Sequence, residues 1–263
     1  GRRQEEVQLG LTAGTLGNLT LPDQTTWDSY SDNQKAFYLI NAEREARAGA
    51  QSDVIGLPLE GIEEHINTLA QNFADFLVNT NQTGHAPTSP ASPAGTDPFD
   101  RIDNEPVIGV KTADPNDDCH EFLARAENIA GFWTSGNSIP LAVERAVYGW
   151  IYDDSTSSWG HREAVLLQDT DLANDNPLYG YNNNVGDAGS EGYMGIGHAG
   201  AVGYDPNNFD LNYGEVVILN IFDPVPTVSC DYTVLPATPV ATTQSIYISE
   251  VYEANGGSVK YVE

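Results

Sequence analysis

Basic residues, cysteines and long apolar segments are all scarce in this chain of 263 residues. Its 38 acidic residues outnumber 11 basic ones, of which only three are lysine, and the formal net charge is −27. Such an excess of negative charge repels nucleic acids and anionic lipid headgroups, so the composition argues against nucleic acid as a partner. It favours instead a hydrated surface that attracts cations.

No run of about 18 apolar residues occurs, and the sequence therefore predicts no membrane span. The first residues, GRRQEEVQ, contain no apolar core of a signal peptide, and we expect that any such peptide has been removed or was never included in this sequence. The acidic, lysine-poor composition favours a secreted, extracellular protein. With 40% apolar residues the chain has enough material for one full core.

The chain has only two cysteines, Cys119 and Cys230. Their separation is too large for a zinc knuckle, and neither has a partner in a CxxC motif. One disulfide, formed in an oxidising compartment, is therefore the predicted state of the two residues. Two free buried thiols are the alternative.

Hydrophobic periodicity and capping residues predict two helices in the first third of the chain. Ser31 and Gln34 have the spacing of a capping box, which predicts a helix over about 31–48. An apolar stripe at intervals of three and four residues predicts a second helix that begins near residue 62 and ends between 79 and 83. The stripe consists of Ile62, Ile66, Leu69, Phe73, Phe76 and Leu77.

Further along the chain, the pattern predicts two more helices and a pair of strands. A third helix is expected to open at Ser138-Ile139-Pro140, because proline is tolerated in a first helical turn. A short helix should cover 162–167. Residues 193–199 and 214–222 are predicted strands around a turn, since both are apolar segments bounded by Gly, Asn and Asp.

The segment WIYDDSTSSWGHREAVL, residues 150–166, carries the pattern that most suggests chemistry. A helix runs into it and ends near Asp153 and Asp154, and Gly160 precedes His161. Histidine titrates near neutral pH and ligates metals, so a histidine beside acids is a candidate for metal binding or general-base catalysis. The alternative is a surface loop whose histidine caps a helix.

Five motifs with a particular order and spacing extend this pattern to the rest of the chain. They are FYLINAEREARAG at 37–49, GH at 84–85, AENIA at 126–130, WxxD at 150–153 and GHREAVL at 160–166, followed by a GIG strand. Residues 30–223 resemble the CAP superfamily, which includes the cysteine-rich secretory proteins, the plant pathogenesis-related class 1 proteins and the bacterial SCP-like extracellular proteins. The resemblance implies an α+β fold, an α-β-α sandwich with a small antiparallel sheet between helices.

The resemblance also implies a cleft that holds two histidines and two acids. Matched motif by motif, the histidines are His85 and His161, and the acids are Glu127 and Asp153. The family usually has glutamate at the position of Asp153, so the shorter aspartate leaves Asp154 as an alternative for that role. We expect the glycine before each histidine to let the backbone turn sharply there.

Three functions are compatible with such a cleft. In the first, His85 and His161 bind zinc or another divalent cation, and Glu127, Asp153 or Asp154 orient them or join as ligands. In the second, a histidine–acid pair is the general base of a metal-dependent, peptidase-like hydrolase. In the third, the four side chains form a structural hydrogen-bond network.

The sequence favours the first of these functions. No serine or cysteine is marked as a nucleophile, and a third strong metal ligand is lacking, which weighs against an enzyme. We therefore expect a secreted, non-enzymatic binding module with a metal-capable cleft that takes an unknown small molecule, lipid or glycan. A metal-dependent hydrolase that uses the same cleft is the alternative.

The segments outside the CAP-like region have separate interpretations. Residues 1–29 are expected to form an extended N-terminal arm that lies on the domain, and residues 224–245 a proline-rich linker. Residues 246–263 resemble the opening hairpin of a lamin-tail domain, through ISEV and KYVE. Because such a domain needs on the order of 100 residues, we expect the chain to be part of a longer modular protein.

A second cation site is predicted in an acidic loop. Asp169, Asp171 and Asp175, with two asparagines nearby, offer the hard oxygen ligands that calcium prefers. Their spacing is not that of an EF-hand. A solvated acidic loop without a bound ion is the alternative.

Overall fold

A computed structural model describes most of the chain. The described residues are 1–50, 56–109, 122–166, 168–169, 183–184, 192–224, 230, 232–237 and 246–247. Cys119, Asp171, Asp175 and the lamin-tail-like residues beyond Tyr247 lie outside these ranges, so the disulfide, the calcium site and the C-terminal domain stay predictions. No helix in the described ranges is both long and apolar enough to cross a membrane.

Helices and strands alternate irregularly along the described chain. The helices are α1 (Arg2–Leu9), α2 (Gln24–Asp28), α3 (Asp32–Glu45), α4 (Glu64–Thr80), α5 (Pro98–Asp103), α6 (Ala142–Tyr152) and α7 (Gly160–Val165), with a 3-10 turn at Ser155–Ser157. The strands are β1 (Thr20–Leu21), β2 (Gly61–Glu63), β3 (Phe122–Thr134), β4 (Gln168–Asp169), β5 (Asn183–Asn184), β6 (Tyr193–Val202), β7 (Tyr213–Pro224), β8 (Val234–Leu235) and β9 (Ile246–Tyr247).

The main sheet has five strands in the order β3-β7-β6-β2-β8. β6 and β7 form a long antiparallel hairpin, and β3 pairs antiparallel with β7 along its whole length. The sheet is mixed rather than antiparallel as predicted, because β2 runs parallel to β6. A parallel pair requires a crossover connection, and α4, which follows β2 directly, begins that crossover. Two short pairs, β1–β9 and β4–β5, lie apart from this sheet.

Helices cover both faces of the sheet. On one face, the side chains of α3 and α6, among them Ile40 and Trp150, pack against Leu219 of β7 and its neighbours. On the other, α4 packs Phe73 and Leu77 against the opposite face of the same strand. The α+β class and the α-β-α layering expected from the sequence are therefore confirmed.

The GIG motif of β6 allows α4 to lie close to the sheet. A Cβ atom on Gly195 would be 2.4 Å from backbone atoms of Asn67, and one on Gly197 would be 2.1 Å from the carbonyl oxygen of Ala70. Any larger residue at either position would push α4 away, so these glycines serve helix–sheet packing.

Several element boundaries differ from the sequence predictions for local reasons. The capping box of Ser31 and Gln34 is present, and the helix it opens ends at Glu45. The second helix starts two residues later than predicted, because the Glu63 side chain accepts hydrogen bonds from the first backbone amides of α4. The third starts at Ala142, since Leu141 has a left-handed backbone conformation (φ 56°) that a helix cannot include.

The predicted arm and linker both contain regular structure. Residues 1–29 include two helices instead of an extended arm, and α1 is tied to α3 by an ion pair of Arg2 with Glu43 and to the turn after α3 by a buried ion pair of Glu5 with Arg47. Strand β8 lies inside the predicted linker and pairs with β2. The sequence patterns missed these elements because they are short and their apolar residues show no sustained period.

Candidate functional site

His85 and Glu127 form the first of two histidine–carboxylate pairs. Nδ1 of His85 lies 2.9 Å from Oε1 of Glu127. The imidazole is 44% exposed, whereas the carboxylate beneath it is 1% exposed. Gly84, just before the histidine, has a φ of 90°, so the sharp turn expected at this glycine is present.

The buried carboxylate of Glu127 is held by two further side chains. Nη2 of Arg101, from α5, donates to both carboxylate oxygens at 2.7 and 2.8 Å, and the amide of Asn220, from β7, donates to Oε2 at 3.2 Å. Arg101 also donates through Nη1 to the backbone carbonyl of His85 at 3.0 Å. A buried carboxylate would be costly without such partners, and these contacts offset its loss of water.

His161 and Asp154 form the second pair. Nδ1 of His161 lies 2.6 Å from Oδ1 of Asp154, and Oδ2 accepts the backbone N–H groups of His161 (2.8 Å) and Arg162 (3.2 Å). Burial alone would raise the pKa of Asp154, but the hydrogen bond from the His161 side chain and those from the two backbone amides outweigh it, and the pKa is lowered. Asp154 is therefore a carboxylate that fixes both the ring and the backbone of His161.

The two consecutive acids after α6 have separate places. Asp153 caps the end of α6 and its side chain is exposed, whereas Asp154 is 3% exposed and contacts His161. Of the two acids, it is therefore Asp154, the alternative to Asp153, that contacts His161. The turn before His161 also differs from expectation, since Ser158 and Trp159 have the positive φ angles and Gly160 does not.

The two pairs are anchored at the same place on the edge strand β3. Glu127 points to the face covered by α4, as Ile129 does. Its neighbour Asn128 points to the opposite face, where its amide donates to the backbone carbonyl of His161 at 2.8 Å. Consecutive Cα atoms are about 3.8 Å apart. Glu127, which contacts His85, and Asn128, which contacts His161, are therefore adjacent on β3 although their side chains lie on opposite faces of the sheet.

The structure does not bring the four side chains into one hydrogen-bonded tetrad. Within the described ranges, neither histidine makes an ion pair with the carboxylate of the other pair. No three His, Cys, Asp or Glu side chains of the described residues are grouped as a metal-ligand set. What the arrangement offers is two separate imidazoles, each held at Nδ1 by a carboxylate.

Three supporting residues of the site were not predicted from the sequence. Asn128 and Asn220 lie inside strands and are 1% and 2% exposed. Asn220 could have been noticed as a polar residue within the predicted strand 214–222, since buried amides require partners, whereas the strand that contains Asn128 was not predicted. Arg101 stands in a loop-like segment, PFDRIDN, that gives no indication of its burial. Only the packing of α5 against β3 and α4 reveals it.

Two other histidines are also paired with acids. His65 lies 2.8 Å from Oε1 of the buried Glu63. His198, on β6, lies between Asp32 of α3 and Glu215 of β7, at 2.8 Å and 3.1 Å. A pocket of about 320 Å³ lies beside His65 and extends to Arg101.

Comparisons of the chain with protein-family models, with curated proteins and with solved structures find no significant match. The resemblance to the CAP superfamily therefore rests on the five sequence motifs.

Proposed function

We propose that this protein is a secreted, CAP-like binding module that holds a divalent cation, such as zinc, through His85 and His161. The observation that carries the proposal is the orientation of both rings. Each Nδ1 faces a carboxylate, which can only accept a hydrogen bond when ionised, so in the neutral ring Nδ1 carries the proton and Nε2 carries the lone pair. Within the described ranges, no hydrogen bond to either Nε2 is present.

This arrangement is the usual one for a metal-ligating histidine. The ring nitrogen that does not bind the metal donates to a carboxylate, which fixes the tautomer and makes the ligand more basic. Glu127 and Asp154 fill that role here, so they orient the ligands and are not ligands themselves. The net charge of −27 further favours cations near the surface.

Two imidazoles leave the remaining coordination positions of a zinc ion to water or to a ligand. The exposed ring of His85 and the partly exposed ring of His161 are accessible from solvent. A bound small molecule, lipid or glycan would then complete the coordination or lie beside the ion. The ion would therefore serve to bind a ligand and not to catalyse a reaction.

Calorimetric titration of zinc into the metal-free protein tests the proposal. We expect one ion per chain, and we expect His85→Ala and His161→Ala each to abolish its binding, because both rings hold the same ion. His65→Ala is the matched control, since His65 is also paired with a buried carboxylate but is not one of the two proposed ligands. That variant should bind zinc as the wild type does.

Two results would contradict the shared site. Two ions per chain, with one lost in each single variant, would show that the pairs act independently. Equal heats from the wild type and His161→Ala would leave the pairs with a structural role, as buried hydrogen-bond networks often have.

A metal-dependent, peptidase-like hydrolase is the second candidate, and the His161–Asp154 pair favours it. A carboxylate at 2.6 Å from Nδ1 is the arrangement that makes Nε2 of a histidine a general base. The test is release of peptide fragments from an unfolded protein substrate by zinc-loaded wild type. Turnover that disappears in His161→Ala but persists in His65→Ala would support the enzyme over the binding module.

A further inference from the structure

We infer that Arg101 is the positioning residue that sets the tautomer of His85. One side chain reaches both partners of the pair: Nη2 contacts the two oxygens of Glu127, and Nη1 contacts the backbone carbonyl of His85. The carboxylate and the backbone that carries the ring are thereby held in one fixed relation. The second pair is held by separate groups in the described residues: backbone amides bind Asp154, and the amide of Asn128 donates to the backbone carbonyl of His161.

The position of Arg101 is itself determined by packing. The side chain is 1% exposed, and its Cζ atom lies 3.5 Å from the centroid of the Phe73 ring, which is part of α4. A guanidinium over an aromatic face is stabilised by the negative charge of the ring. The planar group therefore has little freedom to rotate, and its donors point in set directions.

The charge of Arg101 then determines where the imidazole proton lies. A guanidinium does not lose its proton in proteins, so Glu127 meets it as an acceptor-only carboxylate. The oxygen that Arg101 shares with His85, Oε1, can only accept from the ring. In the neutral ring Nδ1 must supply the proton, and the lone pair is left on Nε2.

The sequence of contacts is Phe73, Arg101, Glu127 and His85, from the core of α4 to the surface. Packing of Arg101 against Phe73 in the core thereby fixes the tautomer of His85 at the surface. The tautomer of His85 does not depend on a bound metal, whereas the effect of Arg101 on zinc affinity rests on the proposed function. The two consequences are therefore measured separately.

Nitrogen-15 NMR of the imidazoles, recorded in metal-free protein at about pH 8.5, where an ordinary histidine is neutral, reads the tautomer directly. In the wild type we expect His85 to carry its proton on Nδ1. In Arg101→Met, the carboxylate loses its fixed position, and His85 should become a mixture of the two tautomers. Arg125→Met is the matched control, since Arg125 lies on β3, as Glu127 does, but pairs with Asp103.

Zinc titration of the same proteins gives the second measurement. Loss of a residue that orients a metal-ligating histidine typically weakens metal binding about 10- to 100-fold, and we expect a loss of this size in Arg101→Met. Arg101→Lys keeps the charge but has a single ammonium that cannot reach Glu127 and the His85 carbonyl in the same fixed geometry. It should retain the Nδ1–H tautomer and lose less affinity than Arg101→Met.

Three outcomes overturn the inference. The first is a wild-type His85 with its proton on Nε2 or with mixed tautomers, which needs no variant to observe. The second is a folded Arg101→Met protein in which His85 keeps a pure Nδ1–H tautomer. The third outcome applies if Arg101→Met does not fold. It is an Arg101→Lys protein in which His85 is a mixture of the two tautomers. If the wild type binds no zinc but shows the expected tautomers, the proposed function fails and the role of Arg101 stands.

Discussion

Asp153 and Asp154 are consecutive residues of the same type, but they differ in burial and in their hydrogen-bond partners. Asp154→Asn should weaken zinc binding about 10- to 100-fold, because an amide no longer fixes the proton on Nδ1 of His161. Asp153→Asn should change neither zinc affinity nor stability, since its side chain is exposed at the end of α6. Calorimetry and thermal denaturation of both variants measure the difference.

The outcome that contradicts this assignment is the reverse order of the two variants. A larger loss in Asp153→Asn than in Asp154→Asn would mean that the acid named by the family resemblance is the functional one. The pair of variants is matched in charge change, residue type and sequence position. Any difference between them therefore reports the surroundings of each side chain.

Sequence reasoning identified both histidines and Glu127, because each stands in a recognisable motif. It could not choose between Asp153 and Asp154, since the choice depends on where α6 ends and how the 3-10 turn after it is oriented. Arg101 was missed for a different reason. Its role comes from burial against Phe73 and Glu127, and neither contact is visible from the residues beside it in the chain.

The side chain of His198 on β6 links this strand to helix α3 and to strand β7. Its ring nitrogens lie 2.8 Å from Asp32 of α3 and 3.1 Å from Glu215 of β7. A neutral imidazole has one N–H group, so donation to both carboxylates requires the protonated ring. The hydrogen bond to Asp32 raises the pKa of His198, and burial opposes this only in part. The same bond lowers the pKa of Asp32.

These directions give a stability profile with two limits. A raised histidine pKa contributes stability that is complete below the unfolded value of about 6.5 and is lost as pH rises through the folded pKa. A lowered aspartate pKa contributes stability that is present above about 3.9 and is lost as pH falls through the folded pKa. The bridge should therefore stabilise the fold most between these limits.

His198→Gln tests the profile. Urea denaturation should show the variant to be less stable than the wild type at about pH 5.5, and the difference should be smaller at about pH 9, because this stability is lost as the pH rises through the raised pKa of His198. Asp32→Asn completes a double-mutant cycle, and a coupling between the two positions is expected at the lower pH. A difference that is the same at both pH values would show that the ring acts through packing alone.

The contact between α4 and β6 gives a prediction at the same scale. Gly195→Ala should destabilise the protein by about 1–3 kcal/mol or more, because the new methyl group meets backbone atoms of Asn67 that cannot move independently. Gly149→Ala, in α6, is the control. Nothing lies within 4 Å of a Cβ atom there, so the change should stabilise that helix by up to about 1 kcal/mol.

Chemical denaturation of the two glycine variants gives both values. A Gly195→Ala protein as stable as the wild type would mean that α4 can shift without cost.

Prediction of the elements succeeded where a long period was present. The stripe of α4 and the two long strands β6 and β7 were recognised because their patterns extend over many residues. Strand β3 was missed, since AENIA combines an acid and an amide with small residues and has no alternation. Its strand form is determined by pairing with β7, about 90 residues away in the chain.

The predicted disulfide concerns the stability of the whole molecule, and only one of its two cysteines, Cys230, lies within the described residues. A bond between Cys119 and Cys230 would enclose about 110 residues and stabilise the fold by roughly 4–5 kcal/mol in the chain-entropy model. Counting thiols in denatured, unreduced protein should give none, and reduction should release two. A denatured sample with two reactive thiols before reduction would contradict the prediction, and so would an unchanged melting temperature after reduction.

Strands β6 and β7, which cover α4, lie far from it along the chain, and this separation affects how the protein folds during synthesis. Synthesis of α4 is complete at Thr80, but β6 and β7, against which its apolar stripe packs, are complete only at Pro224, about 140 residues later. At a synthesis rate of about 5–20 residues per second, the stripe stays uncovered for on the order of 10 s. A nascent chain with that much exposed apolar surface aggregates readily, and chaperones that bind such segments during translation would raise the yield of folded protein.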